Sequence, residues 1–127
     1  MPPGLLLDTH IALWWFAGNP RLDGKIREEI SRSECWLSAA SVWEGAIKFR
    51  LGKLPVAPSV FLDTANAAEM RLLPIIPEHT VATAELPALH ADPLDRLLVA
   101  QAWPQHLILL TADAALTAYG PNVRCVQ

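Results

Sequence analysis

Four acidic residues stand where a chain of alternating strands and helices would gather them. They are Asp8 at the end of LLLD, Glu44 in SAASVWE, Asp95 in HADPLDRLLVAQA and Asp113 closing LILLTAD. Carboxylates brought within a few ångströms raise one another's pKa unless a cation lies between them. Mg²⁺ and Mn²⁺ prefer such hard oxygen ligands, and the set has no Cys or His cluster to favour Zn²⁺. One or two such ions activate water, orient a scissile phosphate and stabilise the leaving oxygen, so the set suits phosphodiester hydrolysis.

Each acid taken alone also has a structural role open to it. Asp8 can cap the helix that begins at Thr9. Ser41 and Glu44 have the S-x-x-E capping-box spacing, and Glu44 stands four residues before Lys48, which suits an exposed ion pair. Asp92 before Pro93 reads as a helix cap, leaving Asp95 at the third helical position, where an acid favours the helix dipole. Asp113 can cap a short helix through Leu116. What the separate roles leave unexplained is convergence, because all four acids are expected at helix starts on one edge of one sheet.

The elements that would place them there follow from periodicity. Short apolar runs at 4–7, 35–38, 72–76, 107–111 and 123–126 read as buried strands. Helices are expected over 9–17, 22–32, 41–51, 58–70, 78–86, 93–104 and 113–118, with Gly18 and Gly52 in the left-handed positions after two of them. Such alternation implies a parallel sheet covered on both faces, whose ligands bind beyond the carboxyl ends of the strands.

Composition bounds the rest. At 127 residues and 52% apolar content, one domain over 1–127 with a single core is expected. A net charge of −3 gives no global basic footprint, so any nucleic acid is held by local charge or by metal ions. The start MPPGLLLDTH lacks a basic leader and no run reaches the ~18 apolar residues of a membrane span, so a soluble, cytoplasmic protein with no membrane partner is expected. Cys35 and Cys125 show no zinc spacing and read as reduced, mostly buried thiols. The eleven prolines punctuate turns, and no linker or repeat divides the chain.

The segments LLLDTHIALWW, SAASVWEGAIKFRLGKL, HADPLDRLLVAQA and LLTAD, in this order, resemble PIN-domain toxin ribonucleases of the VapC type, from bacterial toxin–antitoxin modules. The resemblance covers nearly the whole chain, with Leu94 in place of the Phe common in the third segment. It implies a PIN-like three-layer α/β/α fold with a five-stranded parallel sheet. It further implies a metal-dependent endoribonuclease using Mg²⁺, with Mn²⁺ as a substitute, that acts on RNA, forms a homodimer and is restrained by a cognate antitoxin. The family's acidic quartet maps onto Asp8, Glu44, Asp95 and Asp113 as catalytic and metal-binding residues, with Asp8 and Asp95 the strongest ligands and Asp92 the cap.

Neighbouring residues rank below the acids. Thr9 and Thr111 can orient water or carboxylates, though hydroxyls at helix starts more often satisfy local backbone. Arg96 can pair with a substrate phosphate or with Asp92, and Lys48 has the same two readings. His10 and His90 flank the acids, but a metal-activated water needs no histidine base, so neither joins the catalytic set. Of Trp14 and Trp15, one is expected in the core and the other outward, while Trp36, Trp43 and Trp103 read as core or interface. The main alternative is an inert PIN-like or receiver-like domain that binds Mg²⁺ and a protein partner. A receiver needs an acid pair after its first strand and a lysine after a later one, and LLLDTH and LILLTAD supply neither. RLGKLP lacks the upstream glycine and the following Ser/Thr of a phosphate-binding loop, leaving a nucleotide triphosphatase a distant third.

Overall fold

A computed structural model describes residues 2–126. Five strands, β1 (Leu5–Leu7), β2 (Cys35–Ser38), β3 (Arg71–Leu73), β4 (Ile108–Thr111) and β5 (Val123–Cys125), form one parallel sheet in the order β3-β2-β1-β4-β5. The order reverses between β1 and β4, the switch point at which open parallel sheets place their ligands.

Alternation along β1 divides the core. Leu5 and Leu7 join one apolar cluster with Ile11, Leu37, Phe61 and Leu110. Leu6 points the other way, to Leu73, Leu98, Leu109 and Leu116. All three leucines are buried, so both sheet faces are covered and the three-layer architecture follows.

The helices are bounded by chemistry that is mostly local. Asp8 caps α1 (Thr9–Ala17) through the Ile11 amide at 2.9 Å, and Gly18 ends it at φ 63°. Asp23 caps α2 (Gly24–Arg32). Ser38 caps α3 (Ala39–Arg50), Pro58 opens α4 (Pro58–Ala67) and Pro77 opens α5 (Pro77–Thr83). Asp92 and Pro93 start α6 (Pro93–Ala102) as expected, and a 3₁₀ turn over Ala114–Tyr119 follows β4.

Several boundaries depart from the sequence reading: β3 ends at Leu73 instead of 76 and α5 at Thr83 instead of 86, and two others have a clear local cause. The segment expected to be helical to 70 stops at Ala67, because Glu69 takes the left-handed conformation (φ 59°) and the amides of Glu69 and Met70 fold back onto Asn66 and Ala65. That is a Schellman ending without its usual glycine. The helix expected to start at 41 starts at Ala39, because Ser38 rather than Ser41 is the cap, so the capping-box reading of Ser41 and Glu44 falls.

Other side-chain expectations shift as well. Trp14 and Trp15 are both half-buried against the core rather than divided between core and exterior, with Arg21 over the Trp14 ring at 5.2 Å. Trp43 and Trp103 stand largely exposed. Cys35 and Cys125 are free and half-buried, and burial together with the Glu34 charge pushes the Cys35 thiol up to about 11.

Gln101, fully buried in α6, joins three elements. Its Oε1 accepts the Ser38 hydroxyl at 2.6 Å, and its Nε2 donates to the Pro74 carbonyl and to His79 Nδ1, both at 3.3 Å. The Ile76 amide also donates to His79 Nδ1, so that nitrogen is the unprotonated one. Replacing Gln101 by the similarly shaped Leu strands the buried Ser38 hydroxyl, while His79 Nδ1 keeps the Ile76 amide, so one unsatisfied group costing about 1–3 kcal/mol is left. Gln101→Leu is therefore expected to lower stability by about 1–3 kcal/mol in urea unfolding. A loss below about 0.5 kcal/mol would show that the hydroxyl finds another partner.

Candidate metal centre

Asp8 ends the central strand and is 7% exposed. Oδ1 accepts the Ile11 amide at 2.9 Å, and Oδ2 accepts the Ala112 amide at 3.3 Å, just beyond β4. The carboxylate thus ties β1, α1 and β4 together at the switch point. Burial raises its pKa, against the lowering effects of the Ile11 and Ala112 amides, the Thr111 hydroxyl and the His10 charge. A carboxylate has about four lone-pair directions, so these bonds leave room for a metal.

Glu44 reaches this edge by a different route from the one expected. It lies nearly two turns inside α3, not at a helix start, and its side chain is mostly buried rather than exposed. Oε1 accepts a short hydrogen bond from Thr9 Oγ1, and Oε2 pairs with Lys48 Nζ at 2.8 Å. Thr9, the residue after Asp8, therefore fixes the distance between the first two acids. The i,i+4 pairing with Lys48 forms as expected, now holding a half-sequestered carboxylate.

Asp95 and Asp113 meet around His90. His90 Nε2 lies 3.0 Å from Asp95 Oδ2 and 3.6 Å from Asp113 Oδ2, and ligating atoms of all three residues fall within 4.8 Å of one another. Asp113 also caps the 3₁₀ turn through the Ala115 amide, so its structural and site roles coexist. Its own amide donates to Thr111 Oγ1. Asp8 and Glu44 stand outside this trio of atoms, although the Glu44 charge acts on Asp95.

Asp95 carries the electrostatic cost of the arrangement. Its pKa is raised from 3.8 to about 6, first by burial and then by the Asp92 charge, with Glu44 adding to the rise. The hydrogen bond and charge of His90 counter only part of this. Two oxygen donors and one nitrogen donor converge where anionic charge is disfavoured, and that donor set fits a divalent ion. Ser41 Oγ, one turn before Glu44 on α3, is buried without a partner, leaving a donor free for a water or another oxygen.

Two residues behave differently from their sequence reading. His90, set aside there, contacts Asp95 directly, and no local pattern signals it, because it lies two residues before the Asp92 cap in an irregular segment. Arg96 turns to main-chain carbonyls instead of pairing with Asp92. Its guanidinium donates to the carbonyls of Thr83 at 2.7 Å and Pro87 at 2.9 Å and to the Tyr119 hydroxyl at 3.0 Å, with a longer bond to the His90 carbonyl. It clamps the segment that delivers His90. Two apolar grooves, of about 550 and 580 Å³, lie away from these acids, one beside Trp103 and the other beside Trp43.

The raised pKa sets a pH dependence. A carboxyl whose folded pKa exceeds its unfolded one binds its proton more tightly in the fold, so ionising it lowers stability. For Asp95 that loss grows from about pH 4 to about pH 6 and is complete above. Asp95→Asn is expected to raise the Tm of the metal-free protein at pH 7.5 by a few degrees, on the order of 1 kcal/mol, with no gain at pH 4. A Tm that falls at pH 7.5 would show that Asp95 works mainly as a helix-start acid.

A sequence profile of the PIN domain matches residues 5–120. Ribonuclease VapC22 of Mycobacterium tuberculosis is 30% identical over 118 residues, covering 91% of each chain. A toxin–antitoxin complex from Klebsiella pneumoniae superposes with a TM-score of 0.70 at 18% identity, covering 98% of both chains. VapBC2 from Rickettsia felis, bound to a DNA fragment from their promoter, gives 0.63 at 17% identity over 95% of this chain and 96% of that one. The structures speak for the fold, and the sequence matches run from the first strand to the last turn: the chain belongs to the PIN-domain family, with a relative of the VapC type.

Proposed function

We propose that the protein is a metal-dependent endoribonuclease, the toxin of a toxin–antitoxin module, acting in the cytoplasm with residues 1–127 as one PIN domain. The observation that carries this reading is the gathering of Asp95, Asp113 and His90 within 4.8 Å at the edge where Asp8 ends the central strand. The 30% identity to a ribonuclease of the VapC type supports the substrate class.

Asp8, Glu44, Asp95 and Asp113 are the residues assigned to hold Mg²⁺, with Mn²⁺ as a substitute. When bound, the ion supplies water activation and charge stabilisation on the leaving oxygen. The protein's part is to hold the acids still. Asp8 is fixed by two backbone amides, and Glu44 by Thr9 and Lys48. Lys48, about a third exposed, also offers positive charge to an RNA phosphate at the rim.

A cognate antitoxin and a second copy of the chain are the expected partners. An exposed apolar face supports a protein partner. Trp43, Ile47 and Leu51 recur every four residues from the middle of α3 to its C-cap, and Trp43 borders the groove shared with Leu62, Leu72 and Pro74. The two solved assemblies of this fold named above are a toxin–antitoxin complex and VapBC2 on promoter DNA.

The test is cleavage of a mixed structured and single-stranded RNA pool in Mg²⁺, Mn²⁺ or EDTA, with Asp8→Asn and Asp95→Asn checked for folding. Loss of a partner to a metal ligand already costs ten- to a hundredfold, so each ligand variant should lose at least about a hundredfold in rate. Folded protein that binds the ion but cuts no RNA would favour an inert, Mg²⁺-binding interaction module instead.

A further inference from the structure

The nitrogen at the centre of the acidic edge has a consequence for which ion the site takes. His90 Nε2 stands 3.0 Å from one Asp95 oxygen and 3.6 Å from an Asp113 oxygen. Adjacent ligands of an octahedral ion with bonds near 2.0–2.1 Å lie about 3 Å apart. The imidazole therefore already sits at the spacing of a ligand beside two carboxylates. Its ring is largely enclosed, and its backbone carbonyl is one of the groups Arg96 clamps.

We propose that His90 is a direct nitrogen ligand of the metal centre, and that it tilts the site from Mg²⁺ towards a first-row transition ion such as Mn²⁺. This rests on the metal-dependent reading above. Mg²⁺ demands oxygen donors and gives up its waters reluctantly, whereas imidazole suits transition ions, whose affinities for nitrogen rise along the series from Mn²⁺. A site of carboxylates and water alone has little basis for choosing between Mg²⁺ and Mn²⁺. One imidazole supplies that basis.

The competing role is that of a counter-ion, in which His90 only neutralises Asp95 and leaves when an ion arrives. The two roles differ in what the ion feels. A counter-ion alters the affinity for Mg²⁺ and Mn²⁺ alike, because both carry the same charge, whereas a ligand alters their ratio.

The experiment uses the full chain stripped of metal. Affinities for Mn²⁺ and Mg²⁺ are measured by calorimetry for the parent, His90→Gln and His10→Gln, and pulsed electron paramagnetic resonance of the Mn²⁺-loaded proteins reads nitrogen coupling. The parent and His10→Gln should show a coordinated nitrogen. His90→Gln should lose it, and its Mn²⁺-over-Mg²⁺ preference should fall by roughly tenfold or more, in the range that loss of a metal-site partner produces. Bound Mn²⁺ without nitrogen coupling, or an unchanged preference in His90→Gln, overturns the assignment while leaving a carboxylate metal site intact. Absence of binding by either ion to the parent overturns both this assignment and the metal-dependent function.

Discussion

A carboxylate at the end of a strand buried on both faces constrains everything around it. β1 is enclosed by β2 and β4 at its sides and by helices above and below, so Asp8 emerges into a place from which water is largely excluded. Ionising it there is disfavoured unless dipoles or cations answer the charge. The chain answers with the Ile11 amide at the start of α1, the Ala112 amide after β4 and the Thr111 hydroxyl. Helices α1 and α6 and the 3₁₀ turn all begin at this edge, and their unpaired amides favour negative charge. One parallel sheet thus gathers the acids and partly neutralises them by the same geometry.

Helix α6 carries much of the remaining organisation. Asp92 starts it, Asp95 faces the site, Arg96 holds the preceding segment, Leu97 and Leu98 enter the core, and Gln101 fixes the cap of α3. Each role belongs to a particular direction around the helix. A slip by one residue would rotate every side chain by about 100° and place a leucine where Asp95 stands. The core leucines and the polar hub therefore guard the register on which the site depends, which links packing to chemistry through one element.

Much of this was legible in the sequence. Strands buried on both faces are short apolar runs, and Asp8, Gly18 and the Asp92-Pro93 pair mark boundaries by local chemistry that needs no tertiary information. The boundaries that escaped depended on a choice between equivalent residues. Ser38 and Ser41 are both good caps, and what selects Ser38 is its place at the end of β2 and a hydroxyl held by Gln101, sixty-three residues away. Glu69 gives no sign that it will adopt a conformation usually left to glycine. The roles of His90 and Arg96 were less accessible still, because Arg96 bonds mainly to carbonyls, and any residue has a carbonyl. Its partners are set by the path of the irregular segment 84–92, not by the identity of the residues in it. The acids stand out in the sequence by type and order, whereas Glu44's position within α3 does not follow from either.

The acids differ in how far the chain satisfies them, and that difference bears on where a cation gains most. Glu44 has one oxygen on Thr9 and the other on Lys48, so a fixed positive charge already answers it. Asp8 has only amides, a hydroxyl and a distant histidine, and Asp95 and Asp113 share one imidazole. Coulomb attraction in a partly enclosed site is several times stronger than in water, so an arriving divalent ion is drawn to the carboxylates with the fewest cations of their own. The strongest demand therefore lies between Asp8, Asp95 and Asp113, with Glu44 held at the side by its lysine. A fold that paired every acid with a lysine would be more comfortable without metal and would have less reason to bind one.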